Sequence, residues 1–555
     1  MKIKFILQRT AFLLLSAILL FPVNSCKKPV NPIEGLELII DYNIIETTID
    51  IQLMDAATGK LLTGTASQGA FIKYAGADEQ AVVDVLGVRP AEKKFAVVRG
   101  IATMALVPNA PFVPTVDDPV TFNVIAQVPG YLTSTKEVSV SETGRKFVVL
   151  SLIPLSDPPS GVYVRQEPAA TTLQGGRVIV PATITVPGES ATITLPEGMV
   201  VRDAGGNPLT GDVNVTVVRF DNTDPEALEA FPGGLTPTVT RLDGSTLSGT
   251  FFSAGFIAIE ITDQNGNVAS TFEDGSLQLV SEIEADTYNP ITQTTIAAGD
   301  EVPYWSLDET TGIWTEEGIA VAEQVAGKLQ FEVQLTHLSF YNFDWLIGIL
   351  CPNGSPFRFH LNAALPAPFL IKGRVYRQVD DAFINTILMW VQNDQPIYTT
   401  YAPAGIPVYI VWDTEGSPFI NVDPASQPTV IEDLCSSQPV DVNLLINDDP
   451  NIKTIRIEVS LVCSSLENPI VIKPSFTANY IPVDGNGGAV AIEMVEGVAL
   501  IPGIILGRAY YVWITYDGVE YGKEVVATQE NYTYIDYEIP ADVCEQVTGA
   551  LNELP

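Results

Sequence analysis

The chain has little positive charge and little histidine. Its 555 residues contain 29 Lys and Arg against 66 Asp and Glu, a net charge of −37, and 2 His. A nucleic-acid partner needs clustered Lys and Arg, so we expect none. Two histidines leave little scope for imidazole chemistry. No G-x-S-x-G, H-E-x-x-H, P-loop or C-x-x-C motif occurs, so the sequence predicts neither a zinc site nor an enzyme.

Sustained helical periodicity is almost absent as well. Short alternating runs rich in Val, Ile, Thr and Tyr recur instead, as at 213–218, 257–261 and 455–459, and Gly, Pro, Asn and Asp separate them. The hydrophobic fraction of 46% is high enough for buried cores. This pattern predicts an all-β chain of tandem β-sandwich, immunoglobulin-like domains.

The N-terminus carries an export signal. Basic residues precede the apolar run 11–21, which is too short to span a bilayer comfortably, and Ser25-Cys26 follows it. A small residue before a Cys at this place resembles the lipobox of Bacteroidota-type outer-membrane lipoproteins. The resemblance implies a signal peptide over residues 1–25, acylation of Cys26 and membrane lipid as a partner. It places the protein at the outer membrane and leaves the periplasmic face and the cell surface both open.

The other cysteines suit an oxidising compartment. Cys351, Cys435, Cys463 and Cys544 allow three pairings. We expect disulfides Cys351–Cys435 and Cys463–Cys544, because each would then close one domain-sized segment.

Composition and motifs divide the exported chain into five segments. We expect a lipidated tether over 26–42 and sandwich domains over 43–155, 161–345, 346–447 and 448–555. In the first domain, IDIQLMDAATGKLLTG from Ile49 and VPGYLTSTKEVSV from Val128 resemble carboxypeptidase-regulatory-like, immunoglobulin-like modules. The resemblance implies a hairpin turn at the Thr-Gly pair.

The second domain contains Trp305 and Trp314, followed by the tripeptide His337-Leu338-Ser339. This order resembles the domain of cartilage intermediate layer protein and the self-cleaving region of GAIN domains. The latter resemblance implies that His337 is a general base and that the Ser339 hydroxyl attacks the Leu338 carbonyl. The alternative is a structural His that seals the end of a sandwich whose core holds both tryptophans. A change in alternation parity before Leu338 also predicts a β-bulge near 336–337.

Two further groups of residues are candidates for binding. Oxygen-rich segments are candidates for Ca²⁺ binding, and the alternative is that they form ordinary turns. Their residues are Asp221, Asp224, Glu226, Glu229, Asp263, Asn265, Asn267, Asp448 and Asp449. No other cofactor is expected. Aromatic clusters are candidates for a sugar-stacking surface, with sandwich core as the alternative; the residues are Trp390, Tyr398, Tyr401, Trp412, Tyr510, Tyr511, Trp513, Tyr516 and Tyr521.

These observations favour a non-catalytic, outer-membrane-anchored lipoprotein. Its domains would form a rod that carries a binding, adhesive or structural surface for a protein or glycan ligand. One alternative is a glycan-binding accessory lipoprotein of a polysaccharide-uptake system. Another is a surface protein that cleaves itself at Leu338–Ser339.

Overall fold

A computed structural model describes most of the chain. The described residues are 36–41, 46–85, 87–107, 111–365, 367–391, 395–414, 417, 419–447, 449–464, 470–484, 489–516 and 519–538. Within these ranges the regular secondary structure is almost entirely β-strand, with one α-helix, α1 (Pro225–Glu229), so the all-β prediction is confirmed. Short 3-10 turns cover Gly64–Ser67, Glu79–Ala81, Ala91–Lys93, Pro187–Glu189 and Pro424–Ser426. No described helix is long and apolar enough to cross a membrane.

The first unit is a sandwich of two sheets. A strand that belongs to neither of these sheets, β1 (Leu36–Asp41), precedes it. Its own strands are β2 (Thr47–Asp55), β3 (Lys60–Leu61), β4 (Phe71–Ala75), β5 (Val82–Val83), β6 (Lys94–Ala96), β7 (Ile101–Leu106), β8 (Val120–Gln127), β9 (Ser134–Val140) and β10 (Gly144–Leu152). One sheet has the order β10-β2-β7-β5, with β3 beside β2, and the other has the order β6-β4-β8-β9. The apolar residues that alternate along these strands fill the space between the sheets.

The second unit has a large sheet and a small one. Its strands are β11 (Val162–Gln174), β12 (Arg177–Val178), β13 (Ala182–Thr185), β14 (Ala191–Leu195), β15 (Val200–Asp203), β16 (Gly211–Phe220), β17 (Thr238–Thr240), β18 (Thr246–Ser248), β19 (Thr250–Asp263), β20 (Ala269–Glu273), β21 (Leu277–Glu282), β22 (Tyr288–Asn289), β23 (Thr294–Thr295), β24 (Glu301–Asp308), β25 (Ile313–Val321), β26 (Glu323–Val325), β27 (Lys328–Leu335) and β28 (Phe340–Ile347). The sheets run β18-β17-β25-β24-β28-β19-β16-β11-β12-β15-β20 and β13-β14-β21-β27-β26, and β22 and β23 form a separate hairpin.

The third unit is again a sandwich. Its strands are β29 (Leu350–Leu361), β30 (Phe369–Arg377), β31 (Phe383–Val391), β32 (Ile397–Pro403), β33 (Val408–Asp413), β34 (Ile420–Val422), β35 (Thr429–Ile431) and β36 (Val440–Ile446). The two sheets run β32-β29-β36-β34 and β31-β30-β33-β35. The disulfide Cys351–Cys435 joins the start of β29 to the loop that precedes β36, which confirms this predicted pair.

The fourth unit is one sheet that closes on itself. Its strands are β37 (Ile452–Cys463), β38 (Ile470–Pro482), β39 (Val490–Val495), β40 (Val498–Ile505), β41 (Ala509–Tyr516), β42 (Val519–Val526) and β43 (Asn531–Glu538). The order is β42-β41-β38-β39-β40-β37-β43, and β37 also pairs with β38. Cys463 is disulfide-bonded. Its expected partner Cys544 lies outside the described residues.

The expected tether contains ordered strand. Residues 36–41 form β1, which pairs in parallel with β38 of the fourth unit from Leu36 opposite Ile470 to Asp41 opposite Ser475. The N-terminal end of the described chain is therefore held against its C-terminal unit. The signal peptide and Cys26 lie outside the described residues.

The four units do not form the rod that we expected, because the first unit contacts all three others. Leu132 and Ile153 of the first unit share a hydrophobic cluster with the second unit and with Phe383 of the third. Val98 of the first unit packs with Trp513 of the fourth. Alternation within strands predicts the faces of each sheet but carries no information about which sandwiches meet.

Candidate functional site

A cleft of about 400 Å³ lies where the first and third units meet. Strands β9 and β10 form one wall, and β31 and β32 form the other. The segment that contains Gly233 and Gly234 of the second unit closes one end, and the Gly233 amide donates a 2.8 Å hydrogen bond to the Thr135 carbonyl. A volume in this range is typical of small-molecule sites, and junctions between domains are where such sites are common.

Aromatic side chains line both walls of the cleft. Trp390 of β31 is half-buried and stacks on Phe147 of β10, with ring centroids 5.5 Å apart and planes inclined by 28°. Tyr398 of β32 lines the same cleft and keeps 42% of its surface exposed. Of the aromatic residues predicted for a binding surface, these two are the ones that the structure places in the cleft. Both belong to the cluster predicted in the third unit.

The other aromatic candidates have different environments. Trp412 and Tyr510 are buried within their own units, which agrees with the alternative interpretation for them. Trp513 is also buried, but it packs against Val98 and Ile101 of the first unit. Tyr511 lies 3.7 Å from the Arg99 guanidinium, at the contact between the fourth and first units. The side chains of Tyr401, Tyr516 and Tyr521 are outside the described part of the chain.

Lys136 reaches into the cleft from β9. Its Nζ donates to the Val149 carbonyl and to Asn385 Oδ1 across the cleft, at 3.3 Å each. Both acceptors are neutral. Burial lowers the pKa of Lys136 to about 8, and the negative charge of Glu229 opposes this decrease. At pH 7 this side chain is therefore mainly an ammonium, and it is a weaker base than an exposed lysine.

The other charged side chains of the cleft have partners of their own. Arg145 forms an ion pair with the buried Asp50, and Lys146 pairs with Glu142 at 2.6 Å. Glu137 accepts hydrogen bonds from the backbone and the hydroxyl of Thr238. The charges of Arg145 and Lys146 are thus balanced by carboxylates, whereas the two hydrogen bonds of Lys136 go to neutral oxygens.

The sequence analysis did not select Lys136, although a signal was present. In β9, Ser134, Lys136, Val138 and Val140 share one face, and the other three residues are buried. A lysine at the same parity as two core valines indicates either a partner or a cavity on that face. Nothing in the sequence showed that β31 would lie opposite.

The predicted self-cleavage motif has a geometry of a different kind. Ser339 is buried, and its hydroxyl donates to the carbonyls of Leu307 and Phe340. His337 keeps 32% of its side chain exposed, with Nε2 3.6 Å from Glu317 Oε1. The two side chains therefore interact with different partners, Ser339 with the Leu307 and Phe340 carbonyls and His337 with Glu317. Trp305 and Trp314 are both core residues, as the structural alternative predicted.

The parity change at this motif comes from a change of sheet. Strand β27 ends at Leu335, which pairs with Leu277 in the small sheet of the second unit. Strand β28 begins at Phe340, which pairs with Ala258 in the large sheet. The bulge predicted near 336–337 is therefore wrong, because the chain crosses between two sheets there and each sheet fixes its own parity.

The oxygen-rich segments considered for Ca²⁺ act as turns, caps and ion pairs. Asp224 caps α1 by accepting from the Glu226 amide at 2.8 Å, and Glu229 pairs with Arg374 at 3.0 Å. Burial raises the pKa of Asp263, but hydrogen bonds from Asn267 outweigh this effect and hold the pKa at about 2. Within the described ranges no group of three or more His, Cys, Asp or Glu is arranged to hold a metal.

The remaining members of these segments follow the same pattern. Asp221 accepts from Thr223, and Asp263 accepts from the Asn265 amide, so both carboxylates satisfy local turn backbone. Asp449 accepts from the Asn451 amide at 2.8 Å. Asp448 lies outside the described residues.

Comparisons with known proteins give weak likenesses. No family model matches the chain, and no curated protein matches it. Among solved structures, the Bacillus anthracis TIE protein is 8% identical over 68% of this chain and 75% of its own, with a TM-score of 0.13. The full-length major pilin RrgB of Streptococcus pneumoniae is 8% identical over 89% of this chain and 100% of its own, with a TM-score of 0.14.

A third solved structure comes from Bacteroides uniformis, and carbohydrate binding has been ascribed to that protein. It is 13% identical over 53% of this chain and 99% of its own, with a TM-score of 0.13. At these scores none of the three supports an argument about this chain. Function has to be inferred from the cleft itself.

Proposed function

We propose that the protein is a non-catalytic, lipid-anchored binding protein of the outer membrane and that its ligand site is the cleft between the first and third units. The cleft supports this proposal because aromatic faces and polar groups converge there from separate units. Such a combination suits recognition of a small polar ligand or a short stretch of a polymer. A glycan ligand, the second candidate, is favoured by the partly exposed Trp390 and Tyr398.

The anchor is a separate part of the proposal. It rests on the lipobox-like sequence at Ser25-Cys26 and predicts a diacylated or triacylated N-terminal cysteine. Membrane and soluble fractions of cells that express the wild type or Cys26→Ala test it. We expect the wild type in the outer-membrane fraction and the variant in the soluble fraction or as uncleaved precursor. Equal distribution of the two would contradict the anchor.

A glycan array tests the ligand site directly. The detergent-solubilised full chain is applied to an array, and the hits are titrated with Tyr398→Ala and with the matched control Tyr163→Ala. Tyr163 is 38% exposed on β11 and is not among the residues that line the cleft. We expect at least a tenfold loss of affinity for Tyr398→Ala and no change for Tyr163→Ala. Binding that is insensitive to Tyr398, or no binding to any glycan, would contradict the proposal.

A further inference from the structure

We infer that the cleft takes an acidic saccharide, with a sugar carboxylate bound to the Lys136 ammonium and a pyranose ring stacked beside Trp390. This inference deepens the proposed function and depends on it. Two independent features support it, the Lys136 ammonium that lines the cleft and the aromatic side chains on its walls.

The first feature is the charge of the cleft. The protein has a net charge of −37, so an anion will bind only where positive charge is concentrated locally. Lys136 provides such a place, because its two hydrogen bonds of 3.3 Å go to neutral oxygens. An ammonium carries three donors, and these two bonds leave a third for a ligand. A carboxylate would replace long, neutral contacts with a charge-assisted hydrogen bond.

The second feature is the arrangement of aromatic and polar side chains. Phe147 covers one side of the Trp390 ring and so fixes its orientation, while Tyr398 on the next strand presents partly exposed surface. Rigid aromatic faces suit the C–H faces of a pyranose. Thr400 also lines the cleft, and its hydroxyl can serve as a partner to a sugar hydroxyl, whereas the Thr386 hydroxyl donates to Glu229 at 3.3 Å. A simple inorganic anion would use the lysine but not these groups.

The charge state of Lys136 gives the inference a pH signature. Glu229 of α1 acts on the pKa of this lysine and is itself paired with Arg374 of β30. The other charged residues that line the same cleft are Glu137 of β9, Glu142 before β10, and Arg145 and Lys146 of β10. Burial lowers the pKa of Lys136 to about 8. A bound carboxylate favours the charged amine and raises that pKa, so binding at pH 8 takes up protons. Affinity should be constant below pH 8 and should fall up to tenfold per pH unit above it.

Calorimetry with matched probes tests the inference. Trigalacturonic acid and its fully methyl-esterified form, which share a backbone and differ in charge, are titrated into the detergent-solubilised full chain at pH 7 and pH 9. Inorganic phosphate is titrated in parallel. We expect the ester to bind at least tenfold more weakly than the acid at pH 7, and the acid to lose most of that advantage at pH 9. Titration at pH 8 in two buffers with different ionisation enthalpies should show proton uptake.

Three variants separate a role in binding from a role in structure. Lys136→Gln should bind the acid and the ester equally, Lys136→Arg should retain the preference for the acid, and Lys60→Gln, an exposed lysine on β3, should behave as the wild type. Circular dichroism and thermal melting confirm that each variant folds. If Lys136→Gln is unfolded, the pH dependence and proton uptake of the wild type decide the question.

The outcomes distinguish this inference from the proposed function. Equal affinity for acid and ester, an acid preference that persists in Lys136→Gln, or phosphate binding as tight as that of the acid would overturn the acidic saccharide. If neutral glycans still bind in a way that depends on Tyr398, the proposed function stands and the acidic-saccharide inference alone fails. If no glycan of either charge binds, both fail.

Discussion

Asp344 is a buried carboxyl group that couples stability to pH. It lies on β28 with no exposed surface, and burial raises its pKa to about 8 against the opposing effects of Ser253, Asn342 and Arg377. Asn342 Nδ2 donates to one carboxyl oxygen. Within the described chain, Asn342 Oδ1 has no hydrogen-bond partner. A neutral Asp344 carries no charge for burial to destabilise, which fits the raised pKa.

Asp344→Asn should remove a pH dependence of stability. The folded-state pKa is raised above the unfolded value of 3.8, so the folded protein holds the extra proton between about pH 4 and pH 8. The stability contributed by that proton is present at low pH and is lost as the pH rises to 8, with a slope of at most about 1.4 kcal/mol per unit. We therefore expect urea denaturation at pH 5 to 8 to show that the unfolding free energy of the variant increases relative to that of the wild type as the pH rises.

The control for this experiment is Asp212→Asn, which changes an exposed aspartate on β16. Its stability should follow the wild type across the same pH range. Parallel curves for Asp344→Asn and the wild type would mean that Asp344 is ionised in the folded protein throughout.

Ser339 should behave as a structural residue. Its hydroxyl links the crossing between β27 and β28 to the Leu307 carbonyl of β24. Replacing it with alanine leaves a buried carbonyl without that donor, which costs about 1–3 kcal/mol. We expect Ser339→Ala to unfold at lower urea concentration and to run, like the wild type, as one intact band in gel electrophoresis. Two wild-type fragments that merge into one band in Ser339→Ala would instead establish self-cleavage at Leu338–Ser339.

The Cys351–Cys435 disulfide fastens a strand to a loop within the third unit. The residues are 84 apart, so reduction frees a long loop in the unfolded state. The chain-entropy model gives about 4 kcal/mol for a loop of this length, and measured values of about 2–4 kcal/mol are typical. Cys351→Ser with Cys435→Ser should therefore lower the unfolding free energy of this unit by that amount.

Denaturation followed by hydrogen exchange resolves the units in this test. The loss of protection should be concentrated in β29 to β36. The matched variant Cys463→Ser removes a disulfide that begins on β37, so its effect should be concentrated in the fourth unit. Uniform loss of protection over both units in either variant would show that they unfold together.

Strand identity could be predicted from the sequence, but strand partners could not. The run 213–218 alternates apolar and polar residues, and the structure places it in β16 with Val213, Val215 and Val217 buried. At 335–340 the alternation of apolar and polar residues does not identify the structure, because a β-bulge and a change of sheet shift the alternation in the same way. The choice between them depends on pairing with Leu277 or Ala258, which are distant in sequence.

The cleft illustrates the same limit for function. Trp390 and Tyr398 could be selected as candidates because they belong to a cluster of Trp and Tyr in the sequence. Lys136 could not be associated with them, since 249 residues separate it from Asn385 and no pattern within one strand encodes contact with another unit. A site built between units becomes visible only when the packing of the units is known.

The packing of the first unit against the other three predicts a compact particle. The contacts are of three kinds: a shared apolar cluster with the second and third units, the Phe147–Trp390 stack, and the Arg99–Tyr511 contact with the fourth unit. Removal of residues 1–25 leaves 530 residues (555 − 25), and a compact fold of that length has a radius of gyration of about 24 Å.

Small-angle scattering measures this radius directly. We expect a value within a few ångströms of about 24 Å and a pair-distance distribution with a single maximum. Arg99→Ala removes a contact with the fourth unit, so it should broaden the distribution modestly, whereas Lys60→Ala should leave it unchanged. A linear string of four sandwiches would give a much larger radius and a long tail in the distribution. That result would separate the first unit from the third, and the walls of the cleft would then no longer face each other.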